Sequence, residues 1–481
     1  MSLNKIAFKG IKWSTSARII KQSLQFITIL ILGRLLSLED FGLMSTAMIY
    51  VGFLQIIKDL GISSALIQID EINLKLFSSV FWVNIVFGII LSLIIITTSP
   101  YVAIFYNEER LTMILSVLAM NFVISSFSNG HQALLERKFL FDKTAKIEII
   151  ASIFGACVGI SMAILKYGVW SLVFQTLTVT IVNTFLLWVN SSLKPKFMFS
   201  IDEVKKVAKF SINLSGFNIV NYFVRNADYF LISRFLGMEA LGIYSYAYRI
   251  MLYPIQNITQ IISRVMFPVY SKIKNDNKKF REMFTVVANS IALITFPMML
   301  GLMAIADYVP IVIGEKWTPI VNVLLILSPL GLVQSIYTTS GAIFQAKGKT
   351  DVWFKWGIFT ALIFITGFSI GLKWGIIGVA SAYLICNILV LYHGFKIPFK
   401  YIDYKITDFL KSFAGTFFTS ITMYVIVYSS KVFVFQKLNL NNVISLVSLF
   451  AIGTISYIAL SLLMNKDKIE SLLKKMREAR S

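Results

Sequence analysis

Apolar runs longer than the ~18 residues a helix needs to cross a bilayer recur along all 481 residues, separated by short, mostly basic segments. The pattern predicts an all-α integral membrane protein of about 14 spans, at 14–33, 41–57, 77–97, 111–129, 147–165, 168–190, 210–232, 240–262, 284–305, 318–344, 353–372, 375–395, 412–430 and 443–464. The half-apolar segment 58–76 is expected to continue the second helix along the membrane interface. Met464 to Arg480 reads either as a basic amphipathic surface helix or as a solvated tail.

Several spans are polar along one side. Ser211, Ser215, Asn218, Asn221, Arg225 and Asp228 recur at steps of 4, 3, 3, 4 and 3, which places them on one helix face. Two hundred residues earlier, Ser14, Arg18, Lys21, Gln25 and Thr28 do the same at steps of 4, 3, 4 and 3. At that offset Arg18 falls opposite Asn218, Lys21 opposite Asn221, Gln25 opposite Arg225 and Thr28 opposite Asp228. The echo continues without a gap through the identities Arg34/Arg234, Leu36/Leu236, Glu39/Glu239, Gly42/Gly242, Ser45/Ser245 and Ala47/Ala247. Lys166-Tyr-Gly-Val and Lys373-Trp-Gly-Ile form a later echo, as do Ala133 to Lys138 and Ala342 to Lys347. The expectation is two six-helix bundles, 1–200 and 201–400, inserted the same way up with a cavity between them. Residues 401–481 would add two further transmembrane helices and a basic tail.

Composition agrees: 57% of residues are hydrophobic and 14% charged, against about 25% charged in soluble proteins. The formal charge of +21 is explained by its placement. Of 45 Lys and Arg, 32 fall in the termini and in the loops on the same side, 8 on the opposite side and 5 within spans. This bias predicts cytoplasmic termini and contact with anionic lipid headgroups, and it argues against a nucleic-acid partner. Lys5, Lys9 and Lys12 lead into the first span with no small-residue cleavage site, so that span is expected to be retained. No loop is much longer than twenty residues, which leaves no room for an extramembrane catalytic domain. No Walker loop, paired-histidine metal motif or Gly-x-Ser-x-Gly elbow is present. An enzyme is not expected, and neither is a metal. Cys157 and Cys386 lie in apolar runs and read as buried thiols; His131 and His393 read as ordinary end-of-helix residues.

The candidate chemistry lies on the polar faces. Arg18, Lys21, Gln25, Asn218, Asn221, Arg225 and Asp228 are joined by Arg249, Tyr253 and Gln256 of the eighth span, which share a face with Gln260 and Arg264. Ionisable groups within spans cost ~2.5–3.5 kcal/mol each on insertion scales and usually face water or a partner. The set nets positive, which suits an anionic, sugar-like or phosphate-bearing substrate. Arg225 and Asp228, one turn apart, are expected to pair. Other readings stay open. Arg18 and Lys21 would also snorkel, Arg225–Asp228 would also serve as a structural lock, and the stripes Asn121-Ser125-Ser128-Gln132 and Gln334-Thr338-Gly341-Gln345 would also serve as interhelical glue. Pro254, Pro297 and Pro329 fall inside spans of the second half, with none inside the first; kinks there are candidate hinges.

Several stretches resemble the bacterial polysaccharide transport family: Gly10 to Ser16, Arg34 to Leu43, Asp59 to Gln68, Ala133 to Arg137, Arg225-Asn-Ala-Asp228, Leu241 to Arg249, and Phe267-Pro268. The family belongs to the superfamily that also holds the multidrug and toxin extruders and the lipid II flippase. The resemblance covers the first twelve spans. It implies two bundles in a V around a cationic cavity, which here maps onto Arg18, Lys21, Arg225 and Arg249. It also implies passage of an undecaprenyl-pyrophosphate-linked oligosaccharide across the bacterial inner membrane, in company with membrane lipids, a polysaccharide polymerase and assembly proteins. No resident cofactor is implied; either H⁺ or Na⁺ would serve for coupling. The chain departs from drug extruders in lacking a first-span carboxylate. Two rivals are a cation-coupled drug exporter on the same fold, and a membrane polymerase or ligase.

Overall fold

The computed structural model describes residues 20–58, 73–138, 140–191, 193–202, 204, 222–223, 225–438 and 440–464. The described residues are overwhelmingly helical, with no strand among them. The expected interfacial continuation at 59–72 and the tail at 465–481 lie outside them. Among the described residues, nine helices are long and apolar enough to cross a membrane, or ten if the bent pair Arg110–Ser126 and Asn129–Arg137 is one span. One of the nine, Thr350–Ile402, runs for 53 residues, which as a straight rod would be ~80 Å long against a ~30 Å hydrocarbon core. It folds back at Gly375 (φ +65°) into two helices packed side by side. Gly371 and Gly378 let their backbones touch, since a Cβ on Gly371 would lie 2.6 Å from the Gly378 carbonyl oxygen.

The chain divides into two compact units, Met1–Gly242 and Ile243–Ser481. The first holds α1 (20–35), α2 (Leu38–Lys58), α3 (Leu74–Tyr106), α4 (Arg110–Ser126), α5 (Asn129–Arg137), α6 (Phe141–Ile164), α7 (Trp170–Asn190) and α8 (Ala227–Phe235). Here α3 packs on α4, α6 on α7, and α4 on α7. Leu91, Ile95, Leu111, Leu115, Leu118, Phe122 and Val173 fill the space between them. The unit runs past the residue-200 boundary suggested by the repeat because α8 packs on α2. The start of α9 (Met238–Lys272) adds a reciprocal contact between echo positions. A Cβ on Gly42 would lie 1.8 Å from the Met238 carbonyl oxygen, and one on Gly242 would lie 1.9 Å from that of Leu38.

The expectation that the first half has no proline inside a helix is wrong. α3 runs on to Tyr106 and contains Pro100. A proline has no N–H for the carbonyl four residues back, here that of Ile96. The Ser99 hydroxyl donates to that oxygen at 2.9 Å, so the helix continues. At the helix-joining turn beyond it, Arg110 pairs with Glu108 and Glu39. The Arg110 guanidinium holds the Glu108 carboxyl below the usual glutamate range.

The second unit holds most of α9, then α10 (Asn277–Ala304), α11 (Ile320–Tyr337), α12 (Gly341–Ala346), α13 (Thr350–Gly371), α14 (Gly375–Phe399), α15 (Ile406–Ser430) and α16 (Asn442–Met464). α10 packs on α11 and α15, α11 on α14, and α15 on α16. An aromatic cluster of Phe280, Phe284, Phe395, Phe399, Phe409 and Phe413 fills the core. Pro297 lies inside α10 and frees the Leu293 carbonyl. The Tyr457 hydroxyl of α16 donates to it at 2.6 Å. The last helix thus completes the hydrogen bonding of a bundle helix, which ties it to the second unit.

Candidate functional site

The first-unit candidates begin with Lys21 on α1. Its ammonium pairs with Glu148 of α6, Nζ to Oε2 at 2.8 Å, and the two side chains are 31% and 43% exposed. Gln25, one turn on, is exposed. Arg18, Asn218 and Asn221 lie outside the described residues. Arg225 is exposed. The turn before it is fixed on α2: the Tyr222 hydroxyl donates to the Ile49 carbonyl at 2.8 Å, and Phe223 meets Phe53 at a centroid distance of 4.9 Å. Gly52 makes that approach feasible, because a Cβ there would lie 2.4 Å from the Tyr222 hydroxyl. Asp228 is buried, and its carboxylate accepts the Tyr229 N–H at 2.9 Å.

The expected Arg225–Asp228 ion pair is corrected, because no ion pair joins them among the described residues. At the start of α8, Asp228 turns inward while Arg225, in the turn before, turns outward. Residues one turn apart share a face only along an unbroken helix, and Asn226 breaks this one.

In the second unit, Arg249 and Gln256 are exposed and Tyr253 is half-buried. All three lie on α9, which is not among the nine apolar helices. A separate cavity of about 440 Å³ opens where α9 and α12 end, lined by Ser271, Lys274, Asn275, Gln345 and Lys347. Desolvation lowers the pKa of the Lys347 ammonium, and Asp403 opposes that shift. Of the residues on the predicted polar stripes, Gln345 is among those lining this cavity.

The sequence reading missed three charged groups. Glu148 is the acid that meets the first-span cation, and it comes from a helix 127 positions away. Lys58 and Lys431, counted as loop cations, are 6% and 7% exposed. Lys58 donates to the Phe122 carbonyl at 2.9 Å and to Ser125. Lys431 donates to the Ala304 carbonyl at 3.0 Å, the last residue of α10, and pairs with Asp307. Each sits at a helix end, which is the only trace the sequence offers. The Asn121-to-Gln132 stripe is divided by a 43° bend, and Ser125 is taken up by Lys58, as glue would be. Cys386 is buried as expected, but Cys157 is exposed, on the same side of α6 as Ile153 and Phe154. His131 is fully buried, its Nδ1 2.7 Å from the Ser191 hydroxyl, in keeping with a structural role.

Residues 31–322 match the family model described as polysaccharide biosynthesis protein. The teichuronic acid biosynthesis protein TuaB of Bacillus subtilis is 29% identical over 89% of this chain and 89% of its own. The lipopolysaccharide biosynthesis protein WzxC of Escherichia coli is 28% identical over 81% of this chain and 80% of its own. Among solved structures, the lipid II flippase MurJ in an inward closed conformation superposes with a TM-score of 0.76, at 19% identity, over 95% of this chain and 99% of that one. At that identity the likeness is one of fold.

Proposed function

We propose that this chain, which belongs to the polysaccharide biosynthesis protein family, carries a lipid-linked oligosaccharide from one leaflet of the bacterial inner membrane to the other. The observation that supports this most is the near full-length alignment with TuaB, named for teichuronic acid biosynthesis. The cargo proposed is an undecaprenyl-pyrophosphate-linked repeat unit. Its charge calls for cations within the membrane, and its sugars call for amide and hydroxyl groups. Lys21 and Arg225 of the first unit, and Arg249 of the second, are side chains of that chemistry with exposed or partly exposed positions. Arg18, Asn218, Asn221, Gln25, Tyr253 and Gln256 complete the proposed cavity set. Exchange would proceed by alternating access of two bundles, with both termini cytoplasmic. The lipid tail stays in the bilayer throughout, so only the polar head needs a path. A polymerase and assembly proteins would consume the product at the outer face.

Deleting the gene and identifying undecaprenyl-linked glycans by mass spectrometry tests this reading. The expected result is a completed repeat unit accumulating several-fold in the cytoplasmic leaflet. Repeat units that instead stall unpolymerised in the outer leaflet would point to a polymerase. Unchanged glycans would point to export of a different cargo.

A further inference from the structure

The Lys21–Glu148 pair lies on the protein-facing sides of both helices, yet it is open. Along α6, Glu148 shares a stripe with buried Ser152, Gly155 and Gly159, at steps of 4, 3 and 4. The exposed apolar residues Ile150, Ile153, Phe154 and Ile164 lie on the opposite side of the helix. Along α1, Lys21 shares a side with buried Thr28 and Leu32, while exposed Ile20, Ile27 and Ile31 lie on another. A pair turned away from the exposed apolar residues of both helices, with 31% and 43% of its side chains exposed, has an opening beside it that water can enter. Within a membrane an ionised pair is stable where water or a partner reaches it. The Lys21 ammonium has three donors, and Glu148 takes one through a single oxygen at 2.8 Å.

We propose that Glu148 is a positioning residue whose carboxylate stands in for the phosphate of the cargo: it holds Lys21 extended into the opening and is exchanged for the incoming anion. This rests on the flippase reading above. A half-exposed pair has the strength for the task, since such pairs are weak enough to be exchanged. It also compensates the Lys21 charge before an anion arrives. The carboxylate thereby competes with weakly bound anions.

The test uses full-length protein in nanodiscs, with inorganic pyrophosphate and a polyprenyl pyrophosphate as separate probes, and thermal unfolding measured alongside. Glu148→Gln is expected to bind the polyprenyl pyrophosphate about two- to fivefold tighter than wild type, the range set by a half-exposed pair. Adding Lys21→Met should abolish that gain, and Glu148→Asp should restore wild-type affinity. A gain with the lipid probe alone would place the lipid-borne phosphate as the ligand; a gain with both probes would assign the pyrophosphate group itself. Unchanged or weaker binding by Glu148→Gln, at wild-type thermal stability, would overturn the proposal and leave the flippase reading standing. Should Glu148→Gln fail to fold, the exchanged pair Lys21→Glu/Glu148→Lys decides. Binding retained by the exchanged pair supports a cation held in the opening, and binding lost in a folded exchanged pair overturns it. A wild-type protein that binds neither probe would overturn both readings.

Discussion

Arg225→Ala is expected to lower export of surface polysaccharide at least about tenfold at unchanged abundance in the membrane. The residue is exposed and forms no ion pair with the neighbouring Asp228, so its removal leaves no buried charge uncompensated. Its position is fixed from the turn before, where Tyr222 bonds the Ile49 carbonyl and Phe223 meets Phe53 on α2. A hydrogen bond to a charged group is worth ~1.5–3 kcal/mol, and each ~1.4 kcal/mol is tenfold. If that interaction is made to the cargo during passage, the loss falls between about tenfold and a hundredfold. Arg225→Lys should recover part of it, since a lysine keeps the charge and loses the bidentate fork. Polymer yield in a complemented deletion strain, normalised to protein in the membrane, measures the effect. Full export by Arg225→Ala at wild-type abundance would remove Arg225 from the cargo path.

Gly42→Ala is expected to be the most destabilising single-methyl change described for this chain. The added Cβ would lie 1.8 Å from the Met238 carbonyl oxygen and 2.5 Å from its carbonyl carbon. Both are backbone atoms, so no side-chain rotation relieves the clash and the helix starts must separate. Overpacking costs ~1–3 kcal/mol where side chains can yield; here the backbone must move, and the upper end or more is expected. Gly242→Ala should behave alike, its Cβ falling 1.9 Å from the Leu38 carbonyl oxygen. Gly357→Ala is the control, with nothing within 4 Å of its Cβ. Thermal unfolding of the detergent-solubilised variants reads the effect as a clear loss in Tm for the first two and none for the third. A wild-type Tm for Gly42→Ala would show that the two helix starts do not touch as described.

What the sequence made legible follows from the range of each interaction. The apolar runs reveal helices because burial in lipid acts on every residue of a run, and the helices α3, α6, α10 and α15 lie where those runs lie. The echo at a constant offset picked out Gly42 and Gly242, and the structure gives the reason glycine is needed at both: each lies against the other's helix start. The predicted span ended at residue 97, short of Tyr106, and no local pattern announces that the Ser99 hydroxyl supplies the donor that Pro100 cannot give to Ile96. Lys58 and Lys431 were counted as loop cations, and Glu148 was missed, for a different reason. Their partners lie 64 to 127 positions away, and no local pattern distinguishes a lysine that caps a neighbouring helix from one in a basic loop. The candidate cations were visible as charges within the spans that the apolar runs predict. That Lys21 already has a carboxylate partner was visible only in three dimensions.

Movement of the cargo by the purified protein is the most direct measurement of the central claim. Proteoliposomes carrying a fluorescent undecaprenyl-pyrophosphate-linked oligosaccharide, with a saccharide-cleaving enzyme added outside, report how much of the lipid reaches the outer leaflet. With wild-type protein present, the protected inner-leaflet fraction is expected to become accessible. Little is expected to become accessible with Arg225→Ala, and a fluorescent phosphatidylcholine is expected not to be moved. A protected fraction that stays inside with folded wild-type protein and the correct repeat unit would contradict the central claim.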